Sequence, residues 1–86
     1  MFKGKKVSLV LPAFNEAPNI GRAIRESKAL KIIDELLVID NNSRDQTVEI
    51  AKKEGAKVVK EEKQGYGFAL RRGLQEAVGD YIVLSE

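Results

Sequence analysis

Two acidic residues close apolar runs in this chain. Glu16 ends Leu11-Pro12-Ala13-Phe14-Asn15-Glu16, and Asp40 follows the run from Leu36 to Ile39. A carboxylate at the end of a buried strand can accept hydrogen bonds from ribose hydroxyls or from the imide edge of uracil or guanine. Phe14 offers a flat face on which a base can stack, and Asn15 and Glu16 offer acceptors for base or ribose hydroxyl groups. In open α/β sheets, ligands sit outside the carboxyl ends of the strands, where the strand order reverses. The two segments therefore suit the mouth of a nucleotide pocket. Taken alone, Asn15 or Glu16 needs no role beyond helping to cap a helix at Pro18; the combination argues for binding. The polar run Asn41-Asn42-Ser43-Arg44-Asp45-Gln46-Thr47 is explained by turning and capping. Asp40 is explained less well that way, because the turn has better-placed caps.

Two further segments carry weaker signals. In Lys63-Gln64-Gly65-Tyr66-Gly67 the glycines allow close backbone approach to a phosphate, and Lys63 can add a full charge. A helix starting there would add the partial positive charge of its N-terminus. A flexible loop leading into a helix accounts for the segment about as well. It is not a dinucleotide fingerprint, since position 70 is Leu and the segment follows the third strand rather than the first. Arg71 and Arg72 lie one turn further on, where a solvated face explains at least one of them. Ser85-Glu86 ends another apolar run, and Glu86 could be the first ligand of a divalent metal. Hard cations such as Mg²⁺ take oxygen ligands, commonly one or two carboxylates together with substrate phosphates.

The elements that must position these residues alternate regularly. Val7 to Leu11 reads as a strand, with Ser8 its only polar member and Pro12 at its end. Pro18 to Leu30 reads as a helix, with Pro18 at its first position and Ile20, Ala23, Ile24 and Ser27 on one face. Glu35 to Asp40 is the second strand. Asp45 to Glu54 is the second helix, capped by Asp45, stopped by Gly55, with Val48 and Ala51 inward. Lys57 to Lys60 is a short third strand. Gly67 to Val78 is a third helix whose apolar surface comes mostly from Phe68, Leu70, Leu74, Ala77 and Val78. Gly73 in its middle costs about 1 kcal/mol relative to Ala, which implies close packing there. Gly79 ends this helix, and Asp80 to Leu84 is the fourth strand. The order βαβαβαβ implies one α/β domain, an open parallel sheet with right-handed crossovers and helices on both faces.

Composition bounds the function. With 86 residues the chain makes one domain at most, with a thin core. A net charge of +2 and no aromatic-laced basic cluster give no case for nucleic acid. The absence of cysteine removes disulfides and thiolate metal sites, and the absence of histidine removes Ser-His-Asp and Cys-His nucleophile systems. No apolar run reaches membrane-spanning length, so a cytoplasmic location is the default expectation.

Over about residues 6 to 86 the segments resemble, in order and spacing, the N-terminal part of family-2 glycosyltransferases of the GT-A fold, and the polyprenyl-phosphate sugar synthases (dolichol-phosphate mannose synthase-like enzymes) in particular. The likeness rests on Val7 to Glu16, on Leu37 to Thr47, on Gly65 to Leu74 and on Ala77 to Leu84. It implies a Rossmann-like half of a GT-A fold, with strand order 3-2-1-4. It also implies that Pro12, Ala13, Phe14, Glu16 and Asp40 hold the nucleoside of a UDP- or GDP-sugar, and that Lys63, Gly65 and Gly67 lie near its phosphates. The family's Asp-x-Asp metal motif, for Mg²⁺ or Mn²⁺, would begin at Glu86, which is Glu where Asp is usual. The family's second aspartate after Asp40 is Asn41 here and its glycine is Asn42; both suit a turn.

The expectation is thus a single nucleotide-sugar-binding domain over residues 1–86, ending at the start of the metal motif. In the family the acceptor site and catalytic base lie beyond that motif, so this stretch alone is expected to be inactive, or nearly so, in sugar transfer to an acceptor such as polyprenyl phosphate. Whether a membrane is involved depends on that further part. A non-catalytic binding or assembly module that keeps the fold is the alternative. A nucleotidyltransferase is weaker, because Pro12 to Glu16 is no glycine-rich basic loop. The fourth strand would be an exposed apolar edge, which implies a homo-oligomer.

Overall fold

The computed structural model describes residues 1–85. Strand β1 (Val7–Ala13), helix α1 (Ala17–Ala29), strand β2 (Glu35–Asp40), helix α2 (Thr47–Lys53), strand β3 (Lys57–Lys60), helix α3 (Tyr66–Glu76) and strand β4 (Tyr81–Leu84) follow one another along the chain. The strands form one sheet in the order β3-β2-β1-β4, with every pairing parallel. The order expected from the sequence is the order found. Among the described residues no helix is long and apolar enough to cross a membrane.

Period-two alternation divides the core. Leu9, Leu11, Ala13, Leu36 and Val38 face one side and pack against Ile20 and Ile24 of α1 and Ala51 of α2. Val10, Leu37 and Ile39 face the other side and pack against Ala69 of α3. Helices therefore cover both faces, which explains why β1 and β2 are nearly continuous apolar runs.

Pro12 does not end β1. It pairs with Ile39, and the strand runs on to Ala13. The carbonyls of Val7 and Ala13 accept from Asp34 and Asn41 on the β2 side, whereas Val10 accepts from Ser85 on the β4 side. By alternation Pro12 faces the β4 side, beyond the last described β4 partner at Val10, so its missing N–H breaks no ladder bond among the described residues. The start of β1 is held by Asp34, whose carboxylate accepts from the Val7 N–H at 2.7 Å and contacts the N-terminal amine. Those partners, the Val7 N–H first, hold the Asp34 carboxyl below its usual range.

Ser8 is fully buried in the central strand. Its hydroxyl donates to Glu35 Oε1 at 2.7 Å and accepts from the Gly79 N–H at 2.8 Å. Gly79 therefore does not stop α3, which ends earlier, at Glu76, with Ala77 already extended. Gly79 is there because a Cβ would lie 2.6 Å from Ser8 Oγ and 2.7 Å from Ser8 N.

Helix α2 begins at Thr47 rather than Asp45, because the Asp45 carboxylate turns to accept from the Thr47 N–H at 3.0 Å. Its end is as expected. Gly55 has a φ of 90°, its N–H donates to Lys52 O, and the Ala56 N–H donates to Ala51 O, a Schellman closure.

Helix α3 departs most from expectation. Its buried residues are Ala69 and Gly73, while Phe68 and Leu74 are exposed and Val78 lies beyond its end, also exposed. The helix lies so close to β1 that a Cβ on Gly73 would stand 2.3 Å from Val10 Cγ1. Strand β4 is likewise bare, with Tyr81, Ile82, Val83 and Leu84 all exposed. Tyr81 and Val83 share a groove of about 240 Å³ with Phe2, Val7 and Ile32.

Candidate functional site

The C-terminal ends of β1 and β2 and the start of α3 enclose a cleft of about 390 Å³, lined by Pro12, Ala13, Phe14, Glu16, Asn41, Gln64, Gly65, Tyr66 and Ala69. Its position beyond the carboxyl ends of central parallel strands is where open α/β sheets bind ligands. Of the residues expected to bind a nucleotide, Pro12, Ala13, Phe14, Glu16 and Gly65 come together on its walls. Phe14 is half-exposed, leaving ring surface open.

The remaining expected residues lie off its walls. Asp40 is buried beneath the β2 turn, and its two oxygens are 3.4 and 3.3 Å from the Ser43 N–H. Contacts this long are weak, so most of its acceptor capacity is unspent. Lys63 places its ammonium 5.6 Å from the centre of the Phe68 ring, beside Arg71 and Arg72 in a neighbouring hollow. Gly67 opens onto free space, with nothing within 4 Å of a Cβ there. Its permissiveness is not needed for packing. Glu86 lies outside the described residues. Among the described residues no three His, Cys, Asp or Glu side chains gather to hold a metal ion.

The β2 turn builds both walls. On one side it binds the segment after β1. The Asn15 N–H donates to Ser43 Oγ at 2.9 Å, and Asn15 Oδ1 accepts from the Arg44 N–H at 2.8 Å. Asn15, at a φ of 51°, is in the left-handed region that asparagine tolerates. The Glu16 N–H donates to Thr47 Oγ1 at 2.8 Å, and the Ala17 N–H to Asp45 Oδ2 at 3.1 Å. The first turn of α1 is thus capped from the β2 turn. Glu16 makes no side-chain cap, which frees its carboxylate for the cleft. The Thr47 hydroxyl in turn donates to Asp45 Oδ1. That bond first, with the Thr47 and Ala17 N–H groups, holds the Asp45 carboxyl below its usual range.

On the other side the turn binds the segment between β3 and α3. Asn41 Nδ2 donates to Glu61 O at 3.0 Å and Lys63 O at 2.8 Å, and its Oδ1 accepts from the Gly65 N–H at 2.8 Å. Asn42, at a φ of 71°, donates from Nδ2 to Glu62 O at 2.8 Å. Within this wall Glu61 accepts from the Lys63 N–H at 2.8 Å and from Arg72 Nε at 3.1 Å, and the two, the Lys63 N–H first, hold its carboxyl below its usual range. Sequence reasoning took Asn41 for a turn residue and passed over Gln64, Tyr66 and Ala69 as lining. For Asn41 no local signal existed, because its partners lie some twenty residues on.

Comparison with known proteins agrees with this architecture. The model of the family described as Glycosyl transferase family 2 matches residues 8–85. Glucosyl-3-phosphoglycerate synthase of Mycolicibacterium smegmatis is 39% identical over 92% of this chain and 29% of its own length. The low-salt glycan biosynthesis hexosyltransferase of Haloferax volcanii is 36% identical over 93% of this chain and 20% of its own. The crystal structure of glucosyl-3-phosphoglycerate synthase from Mycobacterium tuberculosis, in complex with Mn²⁺, UDP and glucosyl-3-phosphoglycerate, superposes with a TM-score of 0.86 at 36% identity, over 95% of this chain and 33% of that one. The same enzyme has been crystallised with Mg²⁺ and UDP, again at a TM-score of 0.86. The chain spans about a third or less of the length of these relatives. With the family model covering residues 8–85, and the sheet order and cleft in agreement, the chain belongs to glycosyl transferase family 2.

Proposed function

We infer that the cleft binds the nucleotide of a nucleotide-sugar, the donor of an inverting sugar transfer. The observation that carries this is the meeting of Pro12, Ala13, Phe14 and Glu16 with Gly65 and Tyr66 around one hollow at the carboxyl ends of the central strands. Phe14 stacks on the base. Glu16 and the under-used acceptors of Asp40 take base or ribose hydrogens. Lys63, Gly65 and Gly67, at the start of α3, face the phosphates. The UDP held by the solved relative favours UDP over GDP as the carrier. Mg²⁺ or Mn²⁺ accompanies the diphosphate, with Glu86 as its ligand from this stretch. When bound, such an ion stabilises the departing diphosphate. Polyprenyl phosphate is the acceptor suggested by the family likeness; the phosphoglyceric acid held by the solved relative makes a small phosphorylated acid its competitor. Residues 1–86 form the donor-binding domain and are by themselves inactive, or nearly so, in transfer.

Calorimetric titration with UDP and GDP, with and without Mg²⁺ or Mn²⁺, tests this reading. UDP is expected to bind more tightly than GDP. Asp40→Ala is expected to weaken binding by about tenfold, the worth of one charge-assisted hydrogen bond to the base. No binding of either nucleotide by a folded chain would instead favour a non-catalytic assembly module.

We also propose that a second copy pairs with the β4 edge. The Tyr81 and Ser85 N–H groups point inward to Lys6 and Val10, so by alternation the backbone groups of Ile82 and Leu84 point outward. The side chains on both faces of this edge are apolar and exposed. An edge of that kind templates strand addition. Sedimentation at micromolar concentration should show a dimer; a monomer there would remove this part of the proposal.

A further inference from the structure

Asn41 lines the cleft, yet its buried carboxamide is fully used. Both Nδ2 hydrogens are taken, by Glu61 O and Lys63 O, and Oδ1 accepts from the Gly65 N–H at 2.8 Å and from Gln64 Nε2 at 3.3 Å. An asparagine side chain has two donors and one acceptor oxygen with two lone pairs, so no capacity is left for a ligand. The two carbonyls facing Nδ2 fix the orientation of the amide, because a flipped oxygen would oppose both. The Asn41 backbone also takes part, its carbonyl accepting from Gln64 Nε2 at 3.0 Å. Asn41 is only 4% exposed, so water cannot replace these bonds cheaply.

The loop it holds, Glu61 to Gly65, has no ladder bonds of its own beyond the Glu61 N–H to Asp40 O. It nevertheless forms one wall of the cleft and delivers Gly65 to the start of α3, at a φ of 141°. The opposite wall, Pro12 to Glu16, takes only the Asn41 backbone N–H, at Ala13 O, and no bond from its side chain; Ser43, Arg44 and Thr47 hold the rest. The side chain of Asn41 thus serves the phosphate wall alone, and its backbone N–H, which a substitution keeps, serves the nucleoside wall.

We propose that Asn41 is a positioning residue that fixes the phosphate wall without touching the nucleotide, so that its side chain sets the affinity for the diphosphate and leaves that for the nucleoside alone. This rests on the nucleotide reading of the cleft. Asn41→Ala removes all the side-chain bonds. Asn41→Asp is nearly isosteric and turns a donor pair into a carboxylate facing two carbonyls, which drives the loop away.

The test compares UDP and uridine binding by nuclear magnetic resonance titration in the wild-type chain and both variants, together with exchange of the Gly65 amide. In Asn41→Ala the Gly65 amide should exchange faster and UDP should bind about tenfold more weakly or worse, with a larger loss in Asn41→Asp. Uridine affinity should stay within about twofold in both. Continued protection of β1 and β2 amides shows that a variant is folded; if Asn41→Asp does not fold, Asn41→Ala decides. Equal weakening of UDP and uridine would reduce Asn41 to a general structural part and overturn the proposal. So would unchanged UDP affinity, whether or not Gly65 exchange rises, and in that case the cleft reading stands. A wild-type chain that binds neither compound overturns the cleft reading and this proposal with it.

Discussion

Replacing Gly73 with valine should destabilise the domain by about 3 kcal/mol or more, at the upper end of overpacking effects. A Cβ at this position would stand 2.3 Å from Val10 Cγ1 and 3.2 Å from Val10 Cγ2. Val10 is fully buried in the central strand and has nowhere to withdraw. The helix must therefore lift off the sheet, taking Ala69 and the cleft wall at Tyr66 with it. Gly73→Ala supplies the sign test. Helix propensity alone makes alanine more stable than glycine by about 1 kcal/mol. The contact with Val10 reverses that, so Gly73→Ala should be less stable than wild type by about 1–2 kcal/mol net. Chemical denaturation of the three proteins gives the order; a more stable alanine variant would show that α3 does not lie this close to β1.

The second large effect is expected at Thr47, which is fully buried and joins both cleft-forming turns through one hydroxyl. Thr47→Val keeps the shape and removes the oxygen. The Glu16 N–H then loses its acceptor, and the Asp45 carboxylate loses its hydroxyl donor while keeping the Thr47 and Ala17 N–H groups. Stranding a partly buried donor and weakening a charge-assisted bond together should cost about 2–3 kcal/mol. For a domain of this size that lowers the melting temperature by roughly 10–20 °C. Thermal unfolding followed by circular dichroism measures it. A drop of only a few degrees would mean that water takes the place of the hydroxyl at Glu16.

The sequence was most legible where apolar periodicity and turn chemistry are local. The runs at Val7 and Leu36, the face of Ile20 and Ile24, and the stop at Gly55 all stood as read, because each depends on neighbours a few residues away. The strand order came from the family likeness, and the sheet has it. Helix α3 packs closely at Gly73, as its mid-helix glycine implies, but it buries little of the bulky apolar surface read for it. A helix that approaches a sheet closely buries its small residues, Ala69 and Gly73, and leaves Phe68 and Leu74 outside. Pro12 misled because a proline in a central strand normally signals its end. Here the described β4 pairing on that side reaches only Val10, so none of the described ladder bonds needs the Pro12 N–H. The roles of Ser8 and Gly79 were hidden by distance, since their bond joins residues 71 positions apart. In the cleft Pro12, Ala13, Phe14, Glu16 and Gly65 were readable, whereas Tyr66, Ala69 and Asn41 were not, and the partners of Asn41 lie on the loop beyond β3.

The turn after β2 holds Asn15, Glu16 and Ala17 on one side and Glu61, Lys63 and Gly65 on the other. The width of the cleft is therefore governed by one short stretch of chain, like the span of calipers set by a single pivot. Substitutions along Asn42 to Thr47 would thus change the spacing between the two walls without altering any side chain that lines the cleft.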